Sequence, residues 1–243
     1  MTPSALQLAP EDRVIVALDC AMEDALALAD RLEGRARWMK VGMTLFYAEG
    51  PRAVAAFKER GFNVFCDLKL NDIPHQVRGA ARSVALTGAD MITVHASGGR
   101  EMMQAAVEGA AQACGEMGPG TPMPAVIAVT VLTSMDDAVL QSIGVDAAAA
   151  DQVQRLARLA IEAGVAGVVA SPMESALLRP IVGDDLIVTP GVRPAGSAKG
   201  DQSRVATPAQ AIANGSSHIV VGRPITQAPD PVAAFDAIVA ELR

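Results

Sequence analysis

The sequence of 243 residues is poor in aromatic side chains, with one Trp, one Tyr and five Phe. That is too few for the stacking platforms on which single-stranded nucleic acid is held. Basic residues are outnumbered, 20 Lys plus Arg against 27 Asp plus Glu, for a formal net charge of −7. A protein that grips duplex nucleic acid needs a basic face, so this balance excludes that class. It leaves room for an anionic small molecule held by a few well-placed cations. Cysteines are scarce and scattered (Cys20, Cys66, Cys114) and form no Cys-x-x-Cys pair. They argue for reduced thiols and against a disulfide framework or zinc knuckle. His75, His95 and His218 lack ligand spacing, so no metal is expected. The longest uncharged stretch, Met117 to Met135, is broken by Pro119, Pro122 and Pro124 and reads as a loop feeding a strand, not a membrane span. Residues Met1 to Pro10 lack the basic and apolar regions of a secretory signal. A soluble, cytoplasmic protein with no nucleic-acid or membrane partner is expected.

What the sequence does contain is alternation. Short apolar runs recur at Arg13–Asp19, Trp38–Met43, Asn63–Lys69, Met91–Ala96, Ala125–Thr133, Gly167–Ser171, Leu186–Val192 and His218–Gly222. Helical patterns lie between them at Met22–Glu33, Pro51–Arg60, Pro74–Leu86, Glu101–Cys114, Asp151–Ala163, Glu174–Leu178, Thr207–Asn214 and Pro231–Leu242. Gly61, Gly88, Gly164 and Gly215 stand where helices should stop. Near-continuous apolar strands suit a parallel sheet covered on its outer face. Eight such units without a linker predict one (β/α)8 TIM barrel over residues 1–243. A doubly wound sheet is the rival, but no Gly-x-Gly-x-x-Gly follows the first strand.

Charges sit at the ends of these strands: Asp19, Lys40, Asp67 with Lys69, His95, Arg193 and Arg223. One charge there is a solvated strand end. Charges on most strands predict a shared site at the C-terminal face, where barrel strand ends converge. The densest cluster is Asp67-Leu68-Lys69-Leu70-Asn71-Asp72-Ile73-Pro74. A strand period of two places Asp67 and Lys69 on one side, with Asp72 in the turn that Pro74 converts into a helix. Two carboxylates beside one amine favour its ammonium form, a proton donor and not a Schiff-base nucleophile. The bland alternative is an ion pair that merely fixes the turn. His95 either lines the site or is a hydrogen-bonded core histidine.

After the seventh strand, Thr189-Pro190-Gly191-Val192-Arg193 enters a polar, Gly/Ser-containing segment, about residues 193–204, long enough to fold over a ligand as a lid. After the eighth, Gly222-Arg223-Pro224-Ile225 presents backbone N–H groups beside a guanidinium. Loops after strands seven and eight are the usual phosphate site of a barrel, although a surface loop with a solvated Arg reads the same way in isolation.

The run Asp67 to Pro74 resembles the Asp-x-Lys-x-x-Asp-Ile-Pro signature of orotidine 5′-phosphate decarboxylases. Ala17-Leu18-Asp19, Lys40-Val41-Gly42, Thr93-Val94-His95, Val131-Leu132-Thr133-Ser134-Met135, Thr189 to Pro194, Gly200-Asp201-Gln202 and Gly222 to Thr226 continue the match in the family's order. The resemblance spans essentially the whole chain and is closest to the shorter bacterial form. It implies decarboxylation of orotidine 5′-monophosphate to UMP and CO2, the last step of de novo UMP synthesis, without cofactor or metal. It further implies that Lys69 protonates C6 of the pyrimidine, that Asp67 lies against the substrate carboxylate, and that Lys40 and Asp19 engage the ribose. Asp72 would reach the site of a second subunit in a homodimer. Thr133 or Ser134 would contact the base, Pro190 would wall it, and Arg193, Gln202, Gly222 and Arg223 would bind phosphate. One departure is His75-Gln76, where the family usually has Asn-Thr; Gln76 is expected to supply its donor and acceptor at longer reach.

Two rivals remain. Mg²⁺-dependent sugar-phosphate decarboxylases and synthases of the same superfamily resemble this chain in sharing Asp-x-Lys-x-x-Asp. A catalytically silent nucleotide-binding protein is the other, and it gives Lys69 no purpose.

Overall fold

In the computed structural model, which describes residues 7–194 and 206–243, the apolar runs form eight parallel strands closed into a barrel in chain order. They are β1 (Val14–Ala17), β2 (Trp38–Gly42), β3 (Asn63–Leu70), β4 (Met91–His95), β5 (Ala125–Val129), β6 (Gly167–Val169), β7 (Leu186–Thr189) and β8 (His218–Val221). Closure is made by β1 against β8, with Val14 beside Ile219 and Val16 beside Val221. The predicted (β/α)8 barrel is the architecture observed.

The helices are α1 (Met22–Leu32), α2 (Met43–Glu49), α3 (Pro51–Glu59), α4 (Pro74–Ala85), α5 (Arg100–Met117), α6 (Asp137–Ser142), α7 (Ala149–Glu162), α8 (Ser175–Val182), α9 (Pro208–Ala213), α10 (Arg223–Thr226) and α11 (Pro231–Ala240). Proline opens α3, α4, α9 and α11, where its missing N–H costs nothing. Thr207 and Gln210 form a reciprocal capping box at α9. The predicted stops Gly61, Gly88, Gly164 and Gly215 all have positive φ.

Two apolar layers hold these elements. The larger lies between barrel and helices, with Val16, Val41, Cys66, Ile92, Val126 and Ile219 facing the helical shell. The smaller fills the barrel itself: Ile15, Ala17, Phe65, Met91, Ile127, Val188 and Val220. Strand alternation explains the split, because neighbours such as Ile15 and Val16 fall in different layers. Trp38 meets His218 edge-on at 5.7 Å beside this inner layer. Helices α4 and α5 come close at Gly109, where a Cβ would collide with the Arg78 carbonyl oxygen.

Several strands end earlier than their sequence suggested. β5 stops at Val129 instead of Thr133 because its neighbour β6 has only three residues; the Thr130 N–H and hydroxyl both turn to the Val169 carbonyl. β7 stops at Thr189 because Pro190 has no N–H to give a ladder. Helices α2 and α6 were not anticipated, since at seven and six residues they are too short to show a helical period. Helix α8 runs past Pro180 to Val182, beyond the expected end at Leu178.

Candidate active site

Each charged residue reaches the C-terminal mouth of the barrel because a strand carries it there. Lys40 lies in β2 and Asp67 in β3, and strand pairing sets Gly42 beside Asp67. Asp19 follows the end of β1 by two residues. Lys40 Nζ stands 3.1 Å from Asp19 Oδ1 and 3.7 Å from Asp67 Oδ2. Lys69 Nζ donates to Asp67 Oδ1 at 2.8 Å. The four groups thus form a chain of alternating sign, Asp19–Lys40–Asp67–Lys69. Its middle is withdrawn from water: the Lys40 and Asp67 side chains are 10% and 13% exposed, against 62% for Asp19.

Burial alone would raise the Asp67 carboxyl's affinity for a proton. Lys40 and Lys69, with hydrogen bonds from Lys69 and Thr93, outweigh that effect and hold its pKa below the usual carboxylate range. Asp67 is therefore ionised throughout the neutral range. His95, half-buried at the end of β4, is pushed down by burial and by Lys69, partly opposed by Asp67. The neighbouring Cys66 points into the outer layer, where burial and Asp67 push its thiol up to about 12. That thiol is inert at neutral pH.

Lys69 departs from regular strand geometry. Its φ is 53°, and among the described residues it is the sole non-glycine with positive φ. The β3–β4 register shifts between Cys66 and Leu70, so the period of two assumed from sequence does not hold through this stretch. The pairing of Asp67 with Lys69 survives the irregularity, since the lysine stem spans it. A non-glycine residue in this region stores strain, and such residues concentrate at functional sites.

Beside the charges lies an apolar cavity of about 190 Å3, walled by Phe65, Val129, Val131, Val169, Val220 and Pro190. Lys40, Asp67, Lys69 and Thr133 are also among its lining residues. One flank is thus charged and the other greasy, which fits a flat polar ring with one reactive edge. Thr133 lines this cavity, whereas Ser134 is exposed and outside the lining.

Gly222 and Arg223 do not line it. They border a second cavity of about 440 Å3, which is also lined by Asp19, Cys20 and Gln227. Arg193 follows β7; its N–H donates to the Ala206 carbonyl at 3.0 Å and its Nη1 to Val192 O at 2.9 Å. Gln202 and nearly all of the expected lid, 193–204, lie outside the described residues. Asp72 does not join the charged chain: it is exposed, and its Oδ1 accepts from the Ile73 N–H at 2.6 Å. Ile73 beside it is 63% exposed, leaving this turn facing outward.

Sequence reading gave Thr93 and Gly42 no role. Thr93 donates to Asp67 Oδ1 at 3.0 Å and accepts from the Lys69 N–H at 2.8 Å. At Gly42 a Cβ would stand 2.9 Å from Lys40 Nζ and 3.0 Å from Asp19 Oδ1, so a side chain there would intrude on the charged chain. Both hints were present as the Thr93-Val94-His95 and Lys40-Val41-Gly42 strand ends, but neither residue type announces such a part. Among the described residues, no group of three His, Cys, Asp or Glu side chains is placed to hold a metal ion, and no helix is long and apolar enough to cross a membrane.

Comparison with known proteins gives the arrangement a lineage. Residues 12–238 match the family model described as orotidine 5′-phosphate decarboxylase / HUMPS family. An orotidine 5′-phosphate decarboxylase of Moorella thermoacetica is 50% identical over 242 residues, covering 98% of this chain and 94% of that protein. Its counterpart in Cutibacterium acnes is 52% identical over 229 residues, covering 93% and 94%. The crystal structure of the orotidine 5′-phosphate decarboxylase of Lactobacillus acidophilus superposes with a TM-score of 0.83 at 39% identity, covering 96% of this chain and 99% of that one. The chain belongs to the orotidine 5′-phosphate decarboxylase / HUMPS family.

Proposed function

We propose that this protein decarboxylates orotidine 5′-monophosphate to UMP and CO2, the closing step of de novo UMP synthesis, in the cytoplasm. The observation that carries the reading is the Asp19–Lys40–Asp67–Lys69 chain at the edge of an apolar cavity, in a chain about half identical to proteins of that name over nearly its full length. Loss of CO2 leaves an electron pair at C6 of the pyrimidine. An ammonium held at that position stabilises the developing charge more than it stabilises the neutral reactant carbon. Lys69 holds that place and delivers the proton to C6, so the C6–carboxylate bond breaks as a C6–H bond forms. Asp67 opposes the reactant carboxylate, and this repulsion ends with the departure of CO2.

Lys40 and Asp19 bind the ribose hydroxyls, Thr133 meets the base, and Pro190 walls it. Arg193, Gln202, Gly222 and Arg223 take the phosphate, whose binding energy closes the loop and excludes water from the reacting carbon. Asp72 completes the site of a second subunit, with Gln76 beside it, which makes the working enzyme a homodimer. The scheme routes no step through a metal or an organic cofactor. It is tested by following orotidine monophosphate absorbance with excess EDTA. Turnover that persists supports the reading; loss of all orotidine monophosphate turnover in the presence of the chelator would overturn it.

A further inference from the structure

Between Cys66 and Leu70 the two neighbouring strands run out of step. Cys66 pairs with Ile92 and Leu70 with Val94, so Asp67, Leu68 and Lys69 of β3 all stand opposite Thr93 of β4. Such a bulge takes backbone groups out of the ladder, and a buried N–H without a partner is costly. Here the orphaned group is the N–H of Lys69, the residue forced to φ 53°. Thr93 accepts its hydrogen bond at 2.8 Å, and the same hydroxyl donates to Asp67 Oδ1 at 3.0 Å. Thr93 itself is fully buried.

We infer that Thr93 is a positioning residue for the proposed reaction, its single hydroxyl tying the backbone of Lys69 to the carboxylate of Asp67 so that ammonium and carboxylate are fixed before substrate arrives. The hydroxyl has one proton and two lone pairs, so it can serve both groups at once only as donor to the carboxylate and acceptor from the amide. Branching at Cβ restricts the rotamer that allows this. Thr93 does not itself line the cavity; it acts through Asp67 and Lys69, which do. The charges around the Asp67 carboxylate are Lys40 and Lys69, with His95 two residues along β4.

The inference rests on the decarboxylase reading, and the test separates the two. Thr93→Val keeps volume and branching but removes the hydroxyl; Thr93→Ser keeps the hydroxyl and drops the methyl. A packing role makes Ser the worse variant, a positioning role makes Val the worse. Thr93→Val is expected to lower kcat about 10- to 100-fold with UMP affinity changed less than about threefold, while Thr93→Ser restores most of the rate. Equal rates for Thr93→Val and wild type, or a Ser variant slower than Val, would overturn the inference. Should Thr93→Val fail to fold, Thr93→Ala against Thr93→Ser asks the same question, and equal rates would again overturn it. Amide hydrogen exchange supplies a readout without catalysis: the Lys69 N–H should exchange at least about tenfold faster in Thr93→Val than in wild type. If wild-type protein does not turn over orotidine monophosphate, the functional reading fails alone. Faster Lys69 exchange would then still support the tie, and unchanged exchange would refute it.

Discussion

The Asp67 carboxylate and the Lys69 ammonium, two residues apart in β3, meet at 2.8 Å across a strand irregularity that turns Lys69 to φ 53°. The carboxylate's other oxygen faces Lys40 at 3.7 Å, so one anion separates two cations. Removing it should be felt in the chemistry before it is felt in binding. In Asp67→Asn, kcat is expected to fall on the order of a hundredfold, as when one preorganised charge is lost from a reacting centre. Orotidine monophosphate should bind no more weakly, because the repulsion of its carboxylate goes too. Separate determination of kcat and of substrate affinity checks this; an unchanged kcat counts against the assignment.

Gly42 is pressed against the outer ion pair, with 2.9 Å between its would-be Cβ and Lys40 Nζ and 3.0 Å to Asp19 Oδ1. Gly42→Ala must push one of these groups aside. A loss of about 10- to 100-fold in kcat/KM is expected, with little change in thermal stability, since the atoms displaced are the ends of flexible side chains and not backbone. A variant as active as wild type would show that Lys40 and Asp19 need not keep their present distance.

How much of this was legible beforehand depends on what kind of force set each feature. The strands were legible because burial on both faces leaves apolar runs, as in Val14–Ala17 and Ala125–Val129. Their ends were not, because pairing stops when a neighbour runs out, and β6 gives no sign of being three residues long until it is seen beside β5. The charged residues could be picked from the chain, but their order in space could not. Lys40 comes from another strand, and only the barrel puts it between Asp19 and Asp67. The conformation of Lys69 was hidden entirely, because nothing in Asp67-Leu68-Lys69-Leu70 marks a bulge and Thr93 looks like any β-branched strand residue.

At Asp72 the expectation from sequence and the observed charged chain part company. It stays outside the charged chain and sits on an exposed turn beside Ile73. If it serves a neighbour, Lys69→Ala and Asp72→Asn chains, each inactive alone, should complement after mixing. Random subunit exchange would then yield about a quarter of the wild-type sites intact. Activity assays before and after verified exchange check this, and no recovery would mean that each site is built from one chain.

His218 gives the fold a pH dependence of its own. It is buried against Trp38, and burial followed by the nearby Arg13 lowers its pKa from 6.5 to about 4. The unfolded chain therefore takes up this proton first as pH falls. Its contribution is complete above about pH 6.5 and is lost progressively toward about pH 4, amounting to about 3 kcal/mol. His95, lowered by burial in the same sense, adds to that slope. Denaturant titrations between those limits should show stability falling with pH in wild type and a much flatter profile in His218→Gln. Identical slopes would remove His218 from the account.

The central claim is that Lys69 delivers a proton to the carbon that loses CO2. Its most direct test is the absorbance change of orotidine monophosphate under single-turnover conditions, with wild type and Lys69→Ala compared at saturating enzyme and with UMP binding measured alongside. The account predicts conversion to UMP by wild type and no detectable conversion by Lys69→Ala, which should still bind UMP. A Lys69→Ala protein that decarboxylates at a rate near that of wild type would contradict it.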